Sequence, residues 1–303
     1  MIATFPYFSK LDIDHKEEMT TFTRNFEPYS DFSFVNLFSW NVDGTAEIAW
    51  LNDNIVIKLP DYLQKGKYIY SIIGIHNMDE SIEQLLAFAP RLDLVPQFIL
   101  NNLVSPEKYA IAENRDSFDY VYKVDDLAQL PGGAYKKKRH RVHQTLESLG
   151  DRLEFFTTAK MTSELRLEML DVLKRWQVQT DQPREKIELE DIAITRLFDH
   201  FDLFELQITA CRIDGKLQGF SIHEVLDEAF SICHFEKTIT SEYDGIGVVL
   251  INEAAKALAG KSVLVNWEQD LGLPGLKKSK LSYCPVKYQR KYWISKGHQS
   301  PAA

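Results

Sequence analysis

The chain is poor in cysteine. Its 303 residues hold three, Cys211, Cys233 and Cys284, widely spaced and without a CxxC pair. That excludes a disulfide framework and offers no zinc-ligand spacing. Cys211 and Cys233 stand in apolar, strand-like runs and are expected as small buried hydrophobes. Long hydrophobic runs are also missing. No stretch approaches the ~18 apolar residues of a membrane helix, so no integral membrane segment is expected. The N-terminus, MIATFPYFSKLDIDHKEEM, lacks a basic segment followed by an apolar run. It does not read as a signal peptide, which makes the cytoplasm the default compartment. Positive charge is in deficit: 35 Lys and Arg against 44 Asp and Glu leave a net charge of −9. Gripping nucleic acid with the whole surface needs clustered cations, so only a local basic patch is compatible with a polyanion. The glycine turn at Gly245 and Gly247 is not a P-loop, since it does not run on into Gly-Lys-Ser/Thr; there is no Gly-x-Ser-x-Gly nucleophile elbow, and no hydrolase triad is in view.

What is present suits a globular chain of two domains: 45% hydrophobic and 26% charged residues. The second half has the clearer pattern. LEFFTT reads as a strand, followed by a helix capped at Ser163 and a polar stretch around Asp181 to Lys186. A second helix is expected near Asp191 to His200. FELQITACRID and KLQGFSIHEVL flank Asp214-Gly215, a hairpin signal. AFSICHFEK is a third strand, VVLINEAAKALAG a helix, KSVLVNW a short buried strand, LPGLKKSKL a short basic helix and VKYQRKYWI a final strand. The first half repeats part of this order. AEIAWL and IVIKLP form a hairpin, and KYIYSIIGI is a third strand. MDESIEQLLAFA is a helix, and PQFILNNL and SFDYVYKV are strands. GGAYKKKRHRVHQTLESLG closes the half as a basic helix. The shared order reads as a diverged duplication, residues 1–150 and 151–303, each expected to be a mixed sheet flanked by helices.

The chemistry signal of the second half is Glu242-Tyr243-Asp244-Gly245-Ile246-Gly247, between a strand and a helix. Gly245 and Gly247 clear space at the first helical turn. With Ile246 and Val248 they form an expected cofactor-binding turn, because free N–H groups and the helix dipole suit a pyrophosphate. Glu242 and Asp244 set negative charge beside it. The other reading is a turn that simply needs flexible residues.

Further on stands Asn266-Trp267-Glu268-Gln269-Asp270-Leu271-Gly272-Leu273-Pro274-Gly275-Leu276-Lys277-Lys278-Ser279-Lys280-Leu281-Ser282-Tyr283. Glu268 or Asp270 is a candidate base that orients or deprotonates an amine acceptor. Asn266, Lys277, Lys278 and Lys280 are candidates to bind substrate, and Tyr283 to give a proton to the leaving group. Residue by residue, the plainer reading is a capped, solvated helix face. Lys136, Lys137, Lys138, Arg139, His140, Arg141 and His143 make the strongest basic cluster, either a solvated helix or an anion cradle for tRNA or a phosphorylated acceptor. Phe34, Phe38 and Trp40 are expected in packing.

The run from Asn266 to Tyr283 resembles the signature of the phosphatidylglycerol lysyltransferase C-terminal domain family. Matching positions are Asn266, Glu268, Gln269, Asp270, Gly272, Gly275, Leu276, Lys277, Lys278, Lys280, Ser282 and Tyr283. Tyr29 to Trp40 and Leu130 to His140 resemble the same family. The resemblance implies two tandem GNAT-like domains related to Fem-type peptidyltransferases, and the glycine loop stands where GNAT proteins place the coenzyme A pyrophosphate. The implied activity is an acyl- or aminoacyl-transferase. A coenzyme A thioester or an aminoacyl-tRNA would be the donor, and an amine or hydroxyl of a small molecule, lipid or peptide the acceptor, entering between the halves. The alternative is a non-catalytic module that binds a small anionic ligand.

Overall fold

The computed structural model describes residues 1–61, 66–180 and 183–297. Asp181 and Gln182, in the expected polar stretch, lie outside the described residues. The contacts divide the chain into two compact units. One is Met1–Asp119, Gln269–Pro274 and Tyr288–Ala303; the other is Tyr120–Glu268 and Gly275–Lys287. They therefore divide elsewhere than at Gly150. Residues 120–150 fold with the second unit, because both helices of this stretch pack on the Ile246–Leu258 helix.

The first unit carries β1 (Ser9–Lys10), α1 (Lys16–Thr23), α2 (Phe34–Ser39), β2 (Glu47–Leu51), β3 (Asn54–Pro60) and β4 (Tyr68–Ile73). It continues with α3 (Met78–Phe88), β5 (Arg91–Pro96), α4 (Gln97–Leu100) and β6 (Tyr109–Glu113). β1 to β4 form one antiparallel sheet in that order. Its hairpin turns at Asn52 and Asp53, both left-handed (φ 48° and 60°), which matches the right-handed twist of the flanking strands. α3 buries Met78, Ile82, Leu85 and Leu86, a helical stripe, against Val56, Ile72, Leu92 and Val95. A second antiparallel sheet has the order β5, β14, β6, with β14 (Lys291–Lys296) from the chain's end. Two sequence expectations are corrected. PQFILNNL is no strand: Pro96 ends β5, and a helical turn starts at Gln97. Both sheets of this unit are antiparallel rather than mixed, because β5 pairs with the antiparallel β14 instead of extending the first sheet.

The second unit is built on a sheet of order β13-β7-β12-β11-β10-β9-β8. β7 (Asp119–Lys123), α5 (Val124–Gln129), α6 (Lys136–Leu149) and β8 (Leu153–Thr158) come first. α7 (Ser163–Gln179), capped by Thr162 rather than Ser163, and α8 (Arg184–Asp199) follow. Then come β9 (Leu206–Ile213), β10 (Lys216–Val225), β11 (Phe230–Thr238), α9 (Ile246–Leu258) and β12 (Leu264–Asn266). α10 (Pro274–Leu281) and β13 (Lys287–Gln289) close the unit, and at β13 the chain returns to the first unit. The expected final strand is thus two, β13 and β14. The sheet is mixed, with β11 and β12 parallel and the β8–β9–β10–β11 run antiparallel. Asp214 and Gly215 turn the β9–β10 hairpin with positive φ. No helix among the described residues is long and apolar enough to cross a membrane.

Candidate active site

β11 and β12 run together for three residues only. Phe230, Ser231 and Ile232 pair with Leu264, Val265 and Asn266. Past Ile232, β11 stays paired with β10 as far as Thr238. Trp267 instead donates its N–H to Tyr120 O at 2.8 Å and follows β7. The two strands part at their carboxyl ends, where sheets with parallel strands place their sites.

A bulge marks the parting. Ile222 faces Phe235 while His223 faces Cys233, so His234 is the extra residue on β11. The His234 ring lies between two carboxylates: Nε2 is 2.9 Å from Glu224 Oε2, and Nδ1 is 3.6 Å from Glu268 Oε1. Burial opposes its charge, but Glu224 and Glu268 outweigh it and push its pKa up to about 9. His223 is fully buried, with neither ring nitrogen hydrogen-bonded. Burial, and then the neighbouring His234, bring its pKa down to about 3, so it is neutral. Its ring stands edge-on to Trp267 at 5.7 Å.

Two residues beyond the bulge is Glu236. Part of the residue remains accessible, but Oε2 is shut from solvent and has no hydrogen-bond partner. Burial pushes its pKa up to about 7, against the opposing pull of Lys280, Lys237, the Trp267 side chain and Lys138. Three of these groups come from segments beside the gap. Lys280 of α10 donates to Trp267 O. Lys138 of α6 sits 3.6 Å from the centre of the Tyr283 ring, and burial lowers its pKa while Glu236 opposes the shift. Tyr283 is buried, and its phenol is pushed well above the usual tyrosine range by burial and then by Glu236. Tyr135 OH donates to Tyr283 O at 2.8 Å, which fixes the start of α6 against this segment.

The glycine loop follows β11 directly. Gly245 caps α9 in the left-handed region (φ 88°), and a Cβ there would stand 2.2 Å from Thr145 Oγ1. Glycine is required on both counts. At Gly247 a Cβ would meet Thr238 Oγ1 at 3.1 Å. Ile246 is buried, and Val248 N–H bonds to Gly245 O at 3.0 Å. The loop's two acids are paired. Asp244 forms an ion pair with Arg141 of α6, and Glu242 Oε1 is 3.8 Å from Arg175 of α7.

The model of the family described as phosphatidylglycerol lysyltransferase, C-terminal, matches residues 23–295. The chain belongs to that family. Among solved structures it is similar to a conserved protein of unknown function from Bacteroides thetaiotaomicron VPI-5482. That match has 25% identity and a TM-score of 0.84, and covers 98% of this chain and 100% of that one. It is also similar in fold to L-PGS from Bacillus licheniformis, at 13% identity and a TM-score of 0.60, over 99% of this chain and 95% of that one. No curated protein gave a match.

The signature run of this phosphatidylglycerol lysyltransferase C-terminal family member is divided by the fold. Asn266 is buried and structural, its Oδ1 accepting from Glu268 N–H at 2.7 Å. Glu268, left-handed at φ 54°, reaches His234. Asp270 belongs to the first unit, fully buried. It accepts from Gly272 N–H at 2.9 Å and faces Arg115 Nη1 at 3.4 Å, so it holds a turn. Gln269 bonds within the same unit to Ser30, beside an ion cluster in which buried Lys291 pairs with Asp31 and Asp119. Lys280 and Tyr283 join Glu236, whereas Lys277 and Lys278 lie on the surface of α10. In the basic helix Lys138 turns to the site and Lys136 and Lys137 are exposed. Arg139 donates to Leu130 O, and to Gly132 O at 3.1 Å, which caps α5. Sequence reasoning missed His234 and Glu236 as site residues. Their signal was a run of ionisable side chains, His234, Glu236 and Lys237, inside the largely buried strand that feeds the glycine loop.

Proposed function

We propose that this chain is an acyl- or aminoacyl-transferase of GNAT type, with Glu236 as the base that takes the acceptor's proton. The observation that supports it most is a carboxylate whose pKa is pushed up to about 7, on the part of β11 past its last pair with β12 and within reach of Lys280, Trp267 and Lys138. A base works best when its pKa lies near the working pH. In the reaction, the acceptor's nitrogen or oxygen attacks the donor carbonyl and its proton passes to Glu236. The bond from the carbonyl carbon to the sulfur or ester oxygen of the donor breaks. The leaving atom takes a proton from Lys138, whose lowered pKa suits it to the task. Tyr283, held protonated by burial, donates a hydrogen bond. Glu224, His234 and Glu268 fix the bulge.

The donor's phosphates are assigned to the N-terminus of α9 at Gly245 and Gly247; the N–H groups of Ile246 and Val248, expected in the same turn, are bonded to Tyr243 O and Gly245 O. Arg141 and Arg175 offset Asp244 and Glu242, which removes the charge objection behind a purely non-catalytic module. The run β2-β3-β4-α3-β5 repeats the order of β9-β10-β11-α9-β12 and supports reading the halves as diverged tandem copies. The family's name supports an aminoacyl ester as donor and a lipid as acceptor. The test is a transfer assay. Wild type and Glu236→Gln are incubated with labelled aminoacyl-tRNA or acetyl-coenzyme A, with phosphatidylglycerol vesicles or amines as acceptors. Calorimetry then measures donor binding alone. Wild type should transfer from one donor, and the variant should bind that donor equally but transfer about 10²–10⁴-fold more slowly. Binding of neither donor would sink the reading.

A further inference from the structure

α10 is a helix without a buried residue. It nevertheless carries two large aliphatic side chains in solvent, Leu276 at 37% and Leu281 at 44% exposure, together with accessible Lys277 and Lys278. The start of α6 lies beside its end, since Tyr135 and Lys138 hold Tyr283. That start adds exposed Lys136 and Lys137. No ion pair engages any of these four lysines among the described residues. The α6 lysines also occupy the first turn of their helix, which contains no acid. A helix dipole disfavours cations there, so self-stability does not account for them. In a chain of net charge −9, this surface is cationic and apolar at once.

We propose that Lys136, Lys137, Leu276, Lys277, Lys278 and Leu281 form a docking surface for an anionic phospholipid bilayer. Lysines meet the headgroup phosphates, and the leucines enter the boundary between headgroups and acyl chains. The leucines decide against a nucleic acid, whose backbone gives exposed aliphatic side chains no partner. α10 also carries Lys280, and Tyr283 follows it, so docking sets the bilayer next to Glu236. This last step rests on the transferase reading; the docking itself does not.

The experiment is cosedimentation of the full chain with vesicles of mixed phosphatidylglycerol and phosphatidylcholine, and with vesicles of phosphatidylcholine alone. Circular dichroism confirms that each variant is folded. Wild type should bind the anionic vesicles and not the neutral ones. Lys277→Gln with Lys278→Gln should lower binding roughly thirtyfold, about fivefold for each lysine near the surface. Leu276→Ser with Leu281→Ser should lower it severalfold at unchanged charge. Absence of binding to anionic vesicles overturns the proposal. So does a leucine variant that binds vesicles like wild type, or a surface that takes up bulk tRNA but no vesicles. Glu236→Gln serves as a control and should bind vesicles like wild type. Intact docking without any transfer would refute the transferase reading and leave the docking surface standing.

Discussion

Replacing Glu236 with Gln should stabilise the protein above neutral pH while it disables transfer. The carboxyl's pKa rises on folding from 4.5 to about 7, with burial as the main cause. The folded state therefore holds this proton where the unfolded state has lost it, and stability falls as pH rises from about 4.5 to about 7. Above that window the loss is complete. Its upper size is about 3 kcal/mol, reduced to the extent that the residue touches water. Gln has nearly the same shape and no charge, so the variant escapes the loss. Thermal unfolding of both proteins at about pH 4 and about pH 8 measures it. The variant's advantage should be near zero at the lower pH and grow to a few degrees at the higher one. An advantage independent of pH, or a variant less stable at pH 8, would refute the assignment of a strained carboxylate.

Three further predictions concern other parts of the fold. Gly245→Ala forces a side chain into the left-handed region and against Thr145, and should cost about 1–3 kcal/mol in urea unfolding while weakening donor affinity. Lys291→Met leaves Asp31 and Asp119 buried without their cation and should cost about 3–5 kcal/mol, read by the same unfolding experiment. Asp244→Asn frees Arg141 and removes a charge beside the proposed phosphate site. Calorimetry should show tighter donor binding, with a stability change under about 1 kcal/mol because the pair is exposed.

Much of the second unit was legible in the sequence. Leu153–Thr158 and the Asp214-Gly215 hairpin follow from alternation and turn chemistry, and Gly260 lies just past the helix that it was expected to end. The first unit was less so. Arg91–Pro96 and Tyr109–Glu113 pair with Lys291–Lys296 from the chain's end, and no local pattern reveals a partner so far away. The same non-local pairing takes residues 269–274 into the first unit, which is why Asp270 holds a turn although it stands two residues from Glu268. Glycine loop and signature lysines were visible as motifs. Glu236 was not, because its character comes from burial and from Lys280, Trp267 and Lys138, which only the fold assembles.

The most direct test of the central claim is the pH dependence of single-turnover transfer by wild type and Glu236→Gln with saturating donor. The wild-type rate should rise through an acid limb near pH 7 as Glu236 loses its proton. The variant should be about 10²–10⁴-fold slower and lack that limb. A variant that transfers at the wild-type rate, or keeps the same limb, would contradict the assignment of Glu236 as the base.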